Sequence, residues 1–255
     1  MRIFFFLFTL FLVTDLHSAN SFLVAPTSAE IKLNRPNTIS FVVTNNGDAR
    51  IRVSVSPIFF PVGSKFMPPL KSMSKEDKNY DDISKNMVVS PKVISLSPGE
   101  QRTVRVSVRP PANLKDGEYR SHILFSMLDV ASSVTSKKNG DGGLSMKLDF
   151  KSETAVVVYG SIGTGKFDLS TTCSAINKKT KVNIVNNGFW RFDGWLVIND
   201  DKDKRIVEEK VFMTRQTSKD VLLNWSPAET QKEIKISWIP LDEKQKKVTT
   251  VCKLR

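Results

Sequence analysis

Three features of this sequence could carry chemistry: two histidines, two cysteines and a glycine-rich segment that ends in lysine. Catalysis by a serine or cysteine nucleophile needs a histidine that a third group holds in place. His17 lies in the N-terminal segment and His122 lies inside an apolar run, so neither is typical of a catalytic base. Structural zinc sites need several histidine or cysteine ligands, which the sequence lacks. We therefore predict no enzyme activity, no metal site and no cofactor.

The glycine-rich segment, residues 160–166, has the G-x-x-x-x-G-K spacing of a phosphate-binding loop. A working loop of this kind continues with Ser or Thr and opens a helix whose N-terminus faces the phosphate. Here Phe167 comes next, and the following residues alternate like a strand. We therefore interpret residues 161–165 as a linker between two domains.

Composition limits the class of protein before any element is assigned. The chain has 255 residues, 38 Lys and Arg against 26 Asp and Glu, a formal net charge of +12 and 40% hydrophobic residues. That apolar content is too high for a disordered chain, and two cysteines are too few for a disulfide-dense miniprotein. Basic clusters around Lys178, Lys202 and Lys244 lie in predicted turns. We interpret them as solvated surface and predict no nucleic-acid partner.

The N-terminal segment predicts export. Arg2 precedes an apolar run from Ile3 to Val13, which is too short to cross a bilayer as a helix. A basic start, a short apolar run and then small residues indicate a secretory signal peptide, here residues 1–21. An N-terminal anchor that stays attached is the alternative. No second segment approaches membrane length, so no integral membrane segment is expected in the mature chain.

Two cleavage points compete, and the compartment decides the state of the cysteines. Cleavage after Ser21 places small residues, Ala19 and Ser21, at positions −3 and −1, whereas cleavage after Ala19 places His17 at position −3.

Among exported locations we favour the bacterial periplasm. In an oxidising compartment Cys173 and Cys252 are expected to form a disulfide, with two free thiols as the alternative. Closing that loop would stabilise the fold by about 4–5 kcal/mol through chain entropy.

Short runs with a period of two, separated by turn residues, dominate the sequence, which is typical of an all-β protein. A faint internal repeat places V-T-N-N-G at residues 43–47 and I-V-N-N-G at residues 184–188. We therefore predict two β-sandwiches, residues 22–160 and 166–255, each with about seven strands.

Three regions of the first sandwich allow more specific predictions. Residues 57–86 show no periodic pattern of apolar residues, and we predict a long polar loop there. Residues 87–96 predict one strand, which Pro91 limits to an edge or bulged position because proline cannot donate to a ladder. Residues 118–130 are apolar on both faces, which predicts a strand in the centre of its sheet.

The segment at residues 144–150 alternates large apolar residues with polar ones and leads into the apolar run at residues 154–160. The combined extended stretch could reach about fifteen residues, far beyond the usual five or six. An ordinary half-buried strand is one interpretation. An exposed apolar edge invites aggregation unless it pairs with another chain, so we favour a strand that binds a partner. Its apolar face consists of Leu144, Met146, Leu148 and Phe150.

Residues 90–125 resemble the first domain of periplasmic pilus-assembly chaperones. In that family a proline-containing strand leads to L-x-P-G-E, then to R-x-V-R-V and then to E-Y-R. The same motifs stand here at residues 96–100, 102–106 and 118–120. The runs V-A-P-T-S-A-E-I and S-F-V-V-T-N-N-G fit the pattern as well, so the resemblance spans roughly residues 22–160.

The resemblance implies two immunoglobulin-like domains set at an angle and a function without catalysis. Chaperones of this family bind pilus or fibre subunits that lack a strand, lend them a donor strand, and pass them to an outer-membrane usher. The donor strand falls on residues 144–150 here.

Members of the family anchor the subunit's C-terminal carboxylate with an Arg in the first strand and a Lys in the last strand of domain one. Those positions fall near Ser28 and at residues 153–155, and neither is basic. This departure favours a divergent, alternative branch of the family. The candidate substitutes for the anchor are Lys151, Lys32, Arg35 and Arg120.

Two other functions compete with the chaperone hypothesis. A structural or adhesive surface protein made of two β-sandwiches would have no chaperone activity. A secreted hydrolase on a β-sandwich would need a nucleophile motif, which the sequence lacks.

Overall fold

The structure is a computed structural model that describes residues 21–60, 82–128, 131–135, 146–199, 204–227 and 232–254. These residues form strands and one short 3₁₀ turn, Ser84–Asn86, so the predicted all-β class is confirmed. The predicted signal peptide lies outside the described residues except for Ser21.

Eleven strands build the first half of the chain. In chain order they are β1 (Phe22–Ala25), β2 (Ser28–Lys32), β3 (Asn37–Asn45), β4 (Ile51–Ile58), β5 (Met87–Ser90), β6 (Val93–Leu96), β7 (Gln101–Val108), β8 (Gly117–Met127), β9 (Ala131–Thr135), β10 (Met146–Phe150) and β11 (Glu153–Ile162). A four-stranded sheet in the order β1-β3-β7-β5 faces a five-stranded sheet in the order β2-β11-β8-β4-β6. Strands β9 and β10 pair with each other in a separate ladder.

The first core fills the space between these two sheets because inward residues alternate with outward ones along each strand. Phe41 of β3 and Phe125 of β8 meet edge to face, with ring centroids 5.9 Å apart. Strand β8 lies between β11 and β4, as expected from its two apolar faces.

The structure corrects the prediction of one strand at residues 87–96. Strand β5 pairs with β7 in the first sheet, and β6 pairs with β4 in the second sheet. The chain therefore changes sheets around Pro91, where the missing N–H interrupts any single ladder. Both strands lie at sheet edges, which agrees with the position that proline allows.

The predicted polar loop at residues 57–86 is wrong at both of its ends. Strand β4 continues to Ile58, and Phe59 and Phe60 beyond it are buried. At the other end, Ile83 is buried in the first core. Residues 61–81 lie outside the described residues.

Seven strands build the second half. They are β12 (Leu169–Ile176), β13 (Lys179–Asn186), β14 (Phe192–Asn199), β15 (Arg205–Met213), β16 (Thr217–Leu223), β17 (Glu233–Pro240) and β18 (Val248–Lys253). A three-stranded sheet, β12-β13-β16, faces a four-stranded sheet, β15-β14-β17-β18, and every ladder is antiparallel. The chain thus has the two predicted sandwiches.

A disulfide and an aromatic cluster hold the second core together. Cys173 of β12 is bonded to Cys252 of β18, with Cα atoms 5.8 Å apart, so the bond joins the two sheets. The Phe192 ring meets both Phe167 and Trp238 edge to face, at centroid distances of 4.8 and 5.4 Å. The indole N–H of Trp238 donates to the Thr250 hydroxyl at 2.9 Å, so this buried donor is satisfied.

The faint Asn-Asn-Gly repeat is the same structural device in both sandwiches. Asn45 is fully buried, and its amide nitrogen donates to the carbonyls of Ala49 and Leu96 at 2.8 and 3.1 Å. Its amide oxygen accepts from the N–H of Gly47 at 2.9 Å. One side chain therefore closes its own turn and ties it to the facing sheet.

The second sandwich repeats this arrangement bond for bond. The side chain of Asn186 is also fully buried, and it donates to the carbonyls of Trp190 and Thr214 at 2.8 and 3.1 Å. Its oxygen accepts from the N–H of Gly188 at 3.1 Å. The repeat that sequence alone supported only weakly marks equivalent turns of two similar domains.

These asparagines should be far more important for stability than their neighbours. We expect Asn45→Ala or Asn186→Ala to lower the free energy of unfolding by about 2–4 kcal/mol, because two carbonyls lose their partner. The neighbouring exposed residues provide controls: Asn46→Ala and Asn187→Ala should change stability by less than about 0.5 kcal/mol. Urea unfolding followed by circular dichroism measures both, and equal losses at buried and exposed positions would contradict the assignment.

Candidate functional site

Two antiparallel ladders, β8–β11 and β9–β10, follow each other along the chain. Strand β11 pairs with β8 along its whole length, from Glu153 opposite Ser126 to Ile162 opposite Gly117. Strand β10 pairs with β9 in the same antiparallel sense, from Phe150 opposite Ala131 to Met146 opposite Thr135. Strand β10 thus continues β11, and β9 continues β8.

Among the described residues, the other edge of β10 and β11 is paired over only part of its length. Strand β2 pairs with β11 only from Val157 to Ser161. Among the described residues, no strand pairs with that edge between Met146 and Val156. Such an edge presents a row of N–H and C=O groups that another chain can pair with.

Three of the predicted donor residues, Met146, Leu148 and Phe150, lie in β10, and Leu144 lies outside the described residues. The expected single extended stretch is interrupted at Lys151 and Ser152, between the two strands.

An acidic residue occupies the start of β11, where the family resemblance places a basic one. Glu153 accepts from the Ser126 hydroxyl at 2.6 Å and pairs with the Lys151 ammonium at 2.9 Å. These two partners hold the pKa of Glu153 below its usual value, the hydroxyl having the larger effect. Lys151 is thus engaged locally in an exposed ion pair.

The other candidate anchors lie in three separate places. Arg120 donates to the carbonyl of Phe60 at 2.8 Å and lies 5.4 Å from the centroid of the Phe59 ring, so it packs the end of β4. Arg35 lines an open surface depression together with Arg109. Lys32 alone of the four lines the cleft between the sandwiches, where its ammonium donates to the Ser161 hydroxyl at 3.0 Å.

The cleft between the two sandwiches has a volume of about 580 Å³. The first sandwich contributes Lys32 and Tyr159, and the second contributes Trp190 and Leu241. Because its walls come from both sandwiches, its width depends on how the sandwiches pack together.

An arginine of the second sandwich makes the central contact at the base of this cleft. The Arg191 guanidinium pairs with Glu118 of β8 at 3.1 Å and with Glu30 of β2. It also lies 4.2 Å from the centroid of the Tyr159 ring. Tyr159 in turn contacts Phe212 at a centroid distance of 6.2 Å. Arg191 therefore bridges three strands of the first sandwich.

A second arginine reinforces the same contact. Arg215 donates to the main-chain carbonyl of Glu118 at 3.0 Å and lies between the rings of Tyr119 and Phe189, 5.2 and 4.9 Å from their centroids. The N–H of Glu118 donates to the carbonyl of Phe189 at 2.9 Å, so main-chain bonding also crosses the interface.

Sequence reasoning missed this interface. Glu118 belongs to the E-Y-R motif, and Arg191 follows the Asn-Asn-Gly turn by three residues. Each looks like an ordinary polar residue on a strand or turn, and the pairing of residues so distant in sequence is a property of domain packing.

His122 is a packed residue of β8. Its ring meets Phe60 edge to face at 5.0 Å. Burial, assisted by the neighbouring Arg120, lowers the pKa of His122 to about 4, so the imidazole is neutral at physiological pH. Within the described part of the chain, no group of three or more metal-ligating residues comes together. No described helix is both long and apolar enough to span a bilayer.

Comparison with known proteins identifies the fold. No protein-family model matches the chain, and no curated protein matches it in sequence. Among solved structures, the YadV chaperone has a TM-score of 0.50 at 8% identity, over 91% of this chain and 99% of that chain. The chain therefore has the two-sandwich fold of this chaperone, and the fold implied by the sequence resemblance is confirmed.

Two further solved structures match this chain with slightly lower TM-scores. The class 5 fimbriae chaperone CfaA gives a TM-score of 0.49 at 17% identity, over 91% of this chain and 99% of that chain. A structure of the CsuC–CsuE chaperone–subunit complex of Acinetobacter baumannii gives 0.48 at 13% identity, over 92% of this chain and 99% of that chain.

One glycine sets how closely the strands beside the cleft approach. A Cβ on Gly194 of β14 would lie 2.2 Å from the carbonyl oxygen of Ile239 and 2.8 Å from the Cα of Pro240. We expect Gly194→Ala to lower the free energy of unfolding by about 2–3 kcal/mol, because the backbone of β17 must move.

Gly99→Ala is the control for this substitution. Gly99 has a positive φ of 73° and open space around its Cβ position, so an alanine there costs only backbone strain, about 1 kcal/mol. Urea unfolding compares the two variants. A Gly194→Ala variant no less stable than the Gly99→Ala variant would contradict the close approach of β17.

Proposed function

We propose that this chain is a periplasmic chaperone that binds pilus or fibre subunits by lending them a β-strand and delivers them to an outer-membrane usher. The open edge from Met146 to Val156 is the observation that carries this proposal. A subunit whose own sandwich lacks a strand can complete its sheet along such an edge, with main-chain hydrogen bonds supplying register.

Neighbouring strands hold the β11 part of this edge in an extended conformation. Strand β8 pairs with all of β11, and β2 holds its far end from the other side. A partner would therefore add to a strand that is already extended, and ordering that strand would cost little on binding.

Apolar side chains would supply most of the affinity. Residues two apart fall on one face of a strand, so the set from Leu144 to Phe150 would present a single apolar face to the partner. Burying four such side chains gives about 6–12 kcal/mol gross, which association and ordering costs reduce. The remainder is enough for a non-covalent complex, and the proposed function needs no catalytic group.

We further propose that Lys32 anchors a carboxylate of the bound subunit. It lies in the cleft, and its partner there is a neutral hydroxyl, Ser161, which a carboxylate can replace. Lys151 already pairs with Glu153, and Arg120 packs against Phe59 and Phe60.

The domain division and the location are part of the same proposal. Strand β11 continues through Ser161 to Ile162, which packs against the first core, so the proposed linker is shorter than residues 161–165 and lies between Ile162 and Phe167 of the second core. The disulfide between Cys173 and Cys252 supports an oxidising compartment, as expected after removal of a signal peptide.

Substitution of the donor face tests the proposal. The chain is co-expressed with each small exported protein encoded beside it, and complexes are purified from periplasmic extract. We expect Leu144→Ser with Leu148→Ser to reduce co-purification at least about a hundredfold, because two buried leucines contribute about 3–6 kcal/mol.

The matched control lies on the opposite face of the same strand. Lys147→Ser with Asp149→Ser should keep co-purification near that of the unchanged chain, and circular dichroism should show that both double variants are folded. Undiminished yield with the leucine variant would overturn strand donation. Recovery of the chain in sheared surface material, without a subunit, would favour a structural or adhesive protein instead.

A further inference from the structure

A group of charged side chains lies where the two sandwiches meet. There, two carboxylates share one guanidinium: Glu118 and Glu30 both pair with Arg191. They differ in environment, since the side chain of Glu118 is 13% exposed and that of Glu30 is 70% exposed. Water can support the charge of Glu30, but the charge of Glu118 depends on the protein around it.

Charged and titratable groups face Glu118 from each element packed against it. Arg191 comes from the turn before β14, and Arg215 comes from the turn before β16. Glu30 comes from β2 and opposes ionisation of Glu118. Tyr159 of β11 also interacts with Glu118, and Asp193 of β14 interacts with Tyr159. Glu30 and Glu118 thus compete for the Arg191 guanidinium, whereas Arg215 favours ionisation of Glu118.

We propose that Glu118 and Arg191 form a proton-linked latch that holds the two sandwiches together more tightly in mild acid than at alkaline pH. When Glu118 is protonated, Arg191 keeps its ion pair with Glu30, and Glu118 can still accept a hydrogen bond from it. When Glu118 is ionised, a buried carboxylate must share its cation with a second carboxylate.

The direction of the effect follows from linkage. Burial in the interface raises the pKa of Glu118 from 4.5 to about 7, against the opposing effect of Arg191. Separation of the sandwiches returns the carboxyl to water and to its ordinary pKa. The contribution of this proton to docking is therefore fully present below about pH 4.5 and is lost as the pH rises through about 7. Because both sandwiches line the cleft, its opening would follow the same pH dependence.

One backbone amide reports this docking directly. The N–H of Glu118 donates to the carbonyl of Phe189 in the other sandwich, so its hydrogen exchange requires the interface to open. Exchange is measured by NMR on the full chain and corrected for the intrinsic pH dependence of the rate. We expect the protection of this amide to fall by up to about tenfold per pH unit between about pH 5 and about pH 7, and then to level off.

Two carboxylate variants make the test specific. Glu118→Gln should remove the pH dependence of protection at residue 118. Glu30→Gln should keep it but move it to lower pH, because the competing charge is gone. Protection of the Glu118 amide that is constant or rises with pH would overturn the latch. The latch is also overturned if amide protection at residue 118 in Glu118→Gln depends on pH as it does in the unchanged chain.

If Glu118→Gln does not fold, a direct titration of Glu118 in the unchanged chain tests the latch. The chemical shift of the Glu118 carboxyl carbon is followed by NMR in the unchanged chain. A midpoint above about pH 6 supports the latch, and a midpoint near the ordinary glutamate pKa of about 4.3 overturns it.

Discussion

Main-chain hydrogen bonding of β11 is the constraint on which the rest of this structure depends. On one side β8 satisfies the strand from Glu153 to Ile162, whereas on the other side β2 reaches only Val157 to Ser161. A strand paired on one side keeps unsatisfied donors and acceptors on the other. Among the described residues, β10 is likewise paired on one side only, with β9, and the proposed strand donation uses this unpaired edge.

The second sandwich contacts the first at β2, at the start of β8 and at Tyr159 of β11. Its contact with the first sandwich uses two arginines, Arg191 and Arg215, which combine ion pairs with aromatic faces. Arginine suits this role because its planar group can stack on a ring while its N–H groups bind carboxylates or carbonyls. The cleft exists because this contact holds two walls from different domains at a set spacing.

Particular elements show how far sequence reasoning reached. The apolar character of residues 118–130 on both faces predicted the central place of β8. The same reasoning joined β5 and β6 into one strand, although the buried positions change from odd numbers, Met87 and Val89, to even numbers, Ile94 and Leu96, across Pro91. It also read residues 57–86 as polar loop, although Phe59, Phe60 and Ile83 are buried. Isolated apolar residues have no period, so only their packing against β8 and the first core identifies them.

The sequence by itself determined the all-β class, the two sandwiches, the probable partner of each cysteine and the segment from Leu144 to Phe150 that has an apolar face. These follow from local properties: alternation, turn residues, export and the pairing of thiols in an oxidising compartment. Only the tertiary structure decided that Asn45 and Asn186 make equivalent side-chain hydrogen bonds. It also decided that Lys32 lies in the cleft, and that Glu118 shares Arg191 with Glu30. Burial and charge pairing between residues far apart in sequence depend on how the sheets pack, and no local pattern encodes that packing.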